Sequence, residues 1–154
     1  MNRQWTLARE PTAAFPQLED FKMVESPVPS PGPGQMLTRT IYLSLDPYQW
    51  GYTKGGGAYG ARANIIPGDG STPETVMHGR TVSQVVESNI DGFKPGDYVF
   101  NTNGWQEFGL TGEGVTIWNY MRPRKLEPSA SPISTAVGIL GMLGMTAWSG
   151  IKSS

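Results

Sequence analysis

The 154 residues contain no cysteine and a single histidine, His78. Thiolate nucleophiles, disulfides and the sulfur ligands of zinc, iron–sulfur and copper centres are thereby excluded. One imidazole is also too few for a conventional zinc site, so no metal is expected. The chemistry available is that of hydroxyls, aromatic rings and cations. Tyr48, Trp50, Tyr52 and Tyr59 gather around Gly55-Gly56-Gly57, in a stretch from Asp46 to His78 with little periodicity. A loop that long inside a compact domain tends to be functional or mobile. Its rings suit the wall of an apolar substrate channel; the plainer reading is a surface insertion whose rings pack on one another. Tyr48 by itself reads as a core tyrosine and His78 as structural. Arg62 and Arg80 read as solvated charges, with anion binding as the sharper alternative. Thr146 lies in an apolar, Gly-rich segment, where a hydroxyl ordinarily bonds a helix carbonyl. Met142 and Met145 there read as gap-fillers.

The elements that must position these residues are mostly short strands. With 20 glycines and 13 prolines, backbone punctuation is dense, which favours strands and turns over a helical bundle. Strands are predicted at Gln4–Arg9 and Phe21–Ser26. Pro27 to Gln35 carries four prolines and reads as an extended connector ending in a turn. Met36–Leu45 is the strongest strand candidate, with Leu37, Ile41, Leu43 and Leu45 on one parity. Thr81–Glu87, Asp97–Phe100 and Trp105–Leu110 follow, and Pro95-Gly96 suits a type II turn. Val115–Trp118 and Met121–Leu126 could add two more strands. The run predicts a mainly β fold, a partly open barrel. Near the end, Ser131 caps a helix predicted to start at Pro132 and continue through Leu140. The segment from Gly141 to Trp148 is apolar on nearly every side and wants burial that one barrel cannot give it.

Composition narrows the partners. Formal net charge is −1, leaving no cationic surplus for a phosphate backbone, so no nucleic acid is expected. The N-terminus has no apolar signal region, and no stretch approaches 18 apolar residues. No membrane partner and a cytoplasmic location are the expectations.

The order of four blocks carries a resemblance. These are Tyr42-Leu43-Ser44-Leu45-Asp46-Pro47-Tyr48, Gly92-Phe93-Lys94-Pro95-Gly96-Asp97-Tyr98-Val99, Gly104-Trp105-Gln106-Glu107-Phe108, and Gly138 to Trp148. From Arg3 to Gly150 the chain resembles the zinc-independent prostaglandin reductase, leukotriene B4 dehydrogenase and curcumin-reductase-like branch of the medium-chain dehydrogenase/reductases. The Leu-Ser-x-Asp-Pro-Tyr and Gly-Met-x-Gly-Met-Thr-Ala blocks are specific in combination. The Pro-Gly-Asp turn is shared more widely.

The resemblance implies a GroES-like substrate-binding domain over residues 1–130 and a helical linker over 131–154, leading toward an NADPH-binding Rossmann domain beyond this sequence. It implies reduction of the C=C bond of α,β-unsaturated ketones or aldehydes with NADPH and no metal, and a homo-oligomer acting on a small-molecule enone or enal. Tyr48 is then the catalytic hydroxyl, Pro47, Met142 and Thr146 the contacts to the nicotinamide end, and Trp50, Tyr52, Tyr59 and Trp105 the substrate pocket. Where zinc-dependent cousins read Gly-His-Glu, this chain reads Gly79-Arg80-Thr81. It also departs from its own branch: Gln49-Trp50 replaces Met-Arg, and Leu143 replaces a proline. No Gly-x-Gly-x-x-Gly follows a strand and opens a helix, so the isolated 154 residues are expected to lack turnover. The alternative is a stand-alone GroES-like module that binds a partner or an apolar ligand without redox chemistry.

Overall fold

The computed structural model of the chain describes residues 1–12, 14–53, 65–72, 75–115 and 122–153. All strand pairing is antiparallel. Strands β1 (Asn2–Leu7) and β2 (Phe21–Ser26) form a two-stranded sheet, in register from Asn2 opposite Ser26 to Leu7 opposite Phe21. The second sheet is built from β3 (Gln35–Leu43), β4 (Thr81–Ser88), β5 (Tyr98–Asn101), β6 (Phe108–Gly112) and β7 (Arg124–Leu126). Its order is β6-β3-β4-β5-β7. The fold is mainly β, as predicted, and the larger sheet stays open with β6 and β7 at its edges. Single bridges from Gln4 to Gln106 and from Thr6 to Val76 tie β1 to the segments that carry the site.

Apolar burial divides into three groups. Met36, Val85 and Val99 pack with Ile90 and Phe93. Val82, Phe100 and Ala136 pack with Leu126, Ile133 and Val137. Leu7, Tyr52, Ile65 and Met77 pack with Phe21, Tyr48, Trp50 and Trp105. Between the sheet's strands lies a buried polar cluster. Asn101 accepts from Thr81 at 2.6 Å and Ser83 at 2.8 Å, and donates to Thr38 at 3.0 Å, Asn103 at 2.9 Å and Thr111 at 3.1 Å. Such a cluster is tolerated because its donors and acceptors meet one another.

Several boundaries differ from the sequence reading. β1 runs Asn2–Leu7 rather than Gln4–Arg9, because Asn2 is held inside by bonds to Gln106 and to the Phe108 carbonyl. The single parity predicted for β3 is broken by register shifts between Leu37 and Thr38 and between Thr40 and Tyr42. Met36, Leu37 and Thr38 are consecutive and all buried, while Leu45 is exposed. The helix predicted from Pro132 through Leu140 is a 3-10 helix at Ile133–Val137 that stops at Gly138. A new helix, α2 (Met142–Lys152), begins after Gly141. Of the two last predicted strands, β7 keeps only Arg124–Leu126, and residues 116–121 lie outside the described residues. None of the described helices is long and apolar enough to cross a membrane.

Candidate active site

Asp46-Pro47 ends the extended chain after β3 and starts a single helical turn, α1 (Tyr48–Gly51). Pro47 sits at its N-cap position with φ −56° and ψ −31°, the range a proline ring already favours. Four residues cannot sustain a helix alone, so outside contacts must hold this turn. Gln49, 2% exposed, does so on two sides. It donates to the Ser44 carbonyl at 2.6 Å and accepts from the Trp105 indole at 3.2 Å. Gln49 is one of the departures from the family pattern, and here it is the peg that fixes α1.

Tyr48, half-buried on this turn, meets three groups. Its hydroxyl lies 3.5 Å from His78 Nε2. Its ring stands edge-on to Tyr52, with centroids 5.5 Å apart. The Arg80 guanidinium carbon lies 5.3 Å from the ring centroid, within cation–π range. Arg80 also donates to the Met142 sulfur at the start of α2. Tyr48 and Met142, 94 positions apart in the numbering, are thus joined through one cation. Ser44, Asp46, Arg80, Met142 and Leu143 line a small recess beside them. The Oδ2 atom of Asp46 is buried there without a hydrogen-bond partner among the described residues.

The other expected site residues are distributed as follows. Tyr52 is buried and packs against both Tyr48 and His78. Trp105 stacks on Phe21 with centroids 5.8 Å apart, and Trp50 tilts against the same ring at 5.9 Å. Trp50 donates to the Ala14 carbonyl at 3.0 Å. These rings form one apolar wall behind α1. Thr146 is exposed, and its hydroxyl donates to the Met142 carbonyl at 2.9 Å, within its own helix. Tyr59 and Arg62 lie outside the described residues.

Two residues that sequence reading set aside turn out to face Tyr48: His78 and Arg80. His78 is 3% exposed. Burial, and secondarily the neighbouring Arg80 charge, push its pKa down to about 3, so the imidazole is neutral at pH 7. The only sequence hint was their position around Gly79, in the slot where zinc-dependent cousins hold a ligand. Among the described residues, no group of three or more His, Asp or Glu side chains gathers where a metal ion could sit.

A cavity of about 530 Å³ lies elsewhere. Asn2, Gln4, Val76, Asn103 and Gln106 line it, and of the Tyr48 group only His78 reaches it. Its walls are amides, hydroxyls and aliphatic carbons, and His78 is the one titratable side chain among its lining residues. Volume alone therefore does not make it the reacting site.

Comparison with known proteins identifies the family. The family described as the N-terminal domain of oxidoreductase matches residues 3–117. The NADPH-dependent curcumin reductase of Escherichia coli is 38% identical over 150 residues, covering 97% of this chain and 39% of that protein. Prostaglandin reductase 1 of Bos taurus is 28% identical over 155 residues, with the same coverage of each chain. The crystal structure of CurA from Vibrio vulnificus in complex with NADPH superposes with a TM-score of 0.77 at 35% identity, over 97% of this chain and 40% of that one. The chain thus spans about two fifths of the relatives it matches. It belongs to the oxidoreductase family defined by this N-terminal domain, in the zinc-independent prostaglandin and curcumin reductase branch of the medium-chain dehydrogenase/reductases.

Proposed function

We propose that this chain supplies the substrate side of an NADPH-dependent reductase acting on the C=C bond of α,β-unsaturated ketones or aldehydes. The observation that carries the reading is Tyr48, set on a one-turn helix with His78 at its hydroxyl and the Arg80 guanidinium over its ring. Reducing an enone builds negative charge on the carbonyl oxygen. A fixed O–H donor near that oxygen, with a cation alongside, stabilises the charge as it forms. Tyr48 is the donor in this reading, and the aromatic wall of Trp50, Tyr52 and Trp105 excludes water and holds the apolar part of the substrate.

The residues present suit the nicotinamide end of the cofactor. Asp46 Oδ2, a buried acceptor without a donor, fits a group that brings N–H or O–H, as a carboxamide or a ribose does. Met142 lines that recess, Pro47 follows Asp46 in the chain, and Thr146 is one helical turn from Met142. When bound, NADPH supplies the hydride. The linker over 131–154 and the homo-oligomer are parts of the same proposal, as is the lack of turnover in these 154 residues alone.

The test is NADPH consumption by the complete polypeptide carrying this sequence, offered a simple enone. Tyr48→Phe is expected to lower kcat about 10²-fold, the usual cost of one oxyanion donor. Wild-type rates in that variant would remove Tyr48 from the chemistry, and inertness of the unmodified protein toward enones would remove the reductase reading. The second reading, a binding module without redox chemistry, is favoured by the exposed apolar residues of the α2 region, Ile139, Met145, Trp148 and Ile151. It predicts a stable complex with a partner and no NADPH consumption.

A further inference from the structure

His78 is buried beside the Tyr48 hydroxyl on a backbone segment that is closely bonded to its neighbours. The strand-like segment around it is bonded on both sides. Met77 N–H donates to the Trp5 carbonyl at 2.8 Å, and Trp105 N–H to the Met77 carbonyl at 2.7 Å. Gly104 N–H donates to the Gly79 carbonyl at 3.0 Å, and Ser44 N–H to the Arg80 carbonyl at 2.9 Å. At Gly79 a Cβ would stand 2.6 Å from Leu43 Cδ1 and 3.0 Å from the Trp105 ring, so a side chain there would have to displace both. The imidazole stands nearly perpendicular to Tyr52, at 5.3 Å and 87°, and at 5.9 Å and 65° to Tyr48. The phenol it touches sits on a four-residue helix with no side-chain cap. A buried ring on a hydrogen-bonded segment therefore addresses the hydroxyl of a short helix that Gln49 pegs in place.

We infer that His78 is a positioning residue for Tyr48: its Nε2–H donates to the phenol oxygen, which turns the phenol's own proton toward the substrate carbonyl. This rests on the reductase reading for its use, but not for the bond itself. An imidazole donor behind the phenol polarises the O–H in front, since donors in series strengthen one another. The tautomer matters. With the proton on Nδ1, Nε2 would accept the phenol proton and point it away from substrate. Burial and the Arg80 charge keep the ring neutral, so a single ring proton, on Nε2 or Nδ1, decides the direction of the bond. No proton leaves His78 in this scheme. The separation of 3.5 Å is long for a working bond, and such contacts shorten when substrate is bound.

Two measurements test it. The first is nitrogen-15 NMR of the 154-residue chain with labelled histidine, which reads the tautomer of the one imidazole directly. The Nε2-protonated neutral form is expected, together with a Tyr48 ring-carbon resonance that moves in His78→Phe and returns in His78→Gln, whose amide can donate from a similar place. An Nδ1-protonated ring, or a Tyr48 resonance indifferent to His78→Phe, overturns the inference without any variant having to be active. The second is kinetics of the complete enzyme with NADPH and an enone. His78→Phe is expected to lose kcat by ~10-fold, as outer partners of reacting groups do, with KM little moved, and His78→Gln to recover most of that loss. Loss in KM alone, or unchanged kcat in His78→Phe, also overturns it. If the wild type does not reduce enones while the NMR result is as expected, the reductase reading fails and the His78–Tyr48 bond stands.

Discussion

His78 combines burial with titratability, so its environment can be read from solution stability. Its pKa in the folded chain lies near 3, against an ordinary value of 6.5. Between those values the unfolded chain binds a proton that the folded chain refuses. The stability contributed by neutral His78 is therefore complete above about pH 6.5 and falls as the pH drops toward 3. The slope is at most about 1.4 kcal/mol per pH unit. Four carboxyls are also lowered: Asp20 by the Gln17 backbone N–H and then Arg9, Asp69 by hydrogen bonds from Ser71, Asp97 chiefly by Lys125, and Glu107 chiefly by Arg3. Their influence begins only near the ordinary carboxylate range, which leaves the window from 6.5 to about 4.5 to the sole histidine. Urea midpoints measured across that window are expected to decline for the wild type and to stay nearly level for His78→Gln. An equal decline in both would mean that His78 is open to water. The same residue shows why the sequence reading missed it: a lone histidine carries no sign of what will pack against it.

At the scale of elements, two features hold the sheet and the site segments in place. Asn101, 1% exposed, is the hub of the buried polar cluster and links β5 to β3, β4 and β6. Asn101→Leu would leave the hydroxyls of Thr81, Ser83 and Thr38 to find new partners away from water. A loss of about 3 kcal/mol is expected, measurable as a lower denaturant midpoint with an unchanged slope. A smaller loss than that of an ordinary surface change would show the cluster to be hydrated. Gly104 precedes Trp105 with φ +76°, and a Cβ there would stand 2.6 Å from the Met77 carbonyl oxygen. Gly104→Ala is expected to cost at least ~2 kcal/mol, combining a left-handed backbone with a close approach. Its thermal unfolding should fall accordingly, and an unchanged midpoint would mean that the 77–79 segment can give way. Of these elements, the extents of β2 and β4 and the turn at Gly96 (φ +93°) followed local rules and were readable beforehand. The bulges of β3 were not, because a register shift is decided by the partner strand.

For the whole molecule, the terminal region is the most uneven feature. No residue of α2 is buried, and Ile139, Met145, Trp148 and Ile151 are 75%, 72%, 62% and 75% exposed. The packed part of the terminal segment ends near Ala136 and Val137, which rest on Val82 and Phe100. Apolar surface gathered in this way drives association. The 154-residue chain is expected to sediment as a concentration-dependent oligomer. Trp148→Glu combined with Ile151→Glu should return it to a monomer with little change in melting temperature, since neither side chain contributes to the core. A wild-type chain that stays monomeric at high concentration would contradict this.

The sequence alone determined what depends on neighbours along the chain. Dense Gly and Pro set short strands and turns, the absence of cysteine with a lone histidine removed familiar metal and thiol chemistry, and the ordered blocks around Tyr48 and Met142 pointed to the family. What depends on distant residues meeting was left to the tertiary structure. Antiparallel pairing of β3 with β4 brings Ser44 to Arg80, and with it Arg80 and His78 to Tyr48, which precedes His78 by 30 positions. Thr38, Asn101 and Asn103, polar residues that in sequence suit turns or solvent, became interior because each supplied what the others lacked. Burial and pairing are properties of the assembled sheet, so the partners of Tyr48 could be found only there.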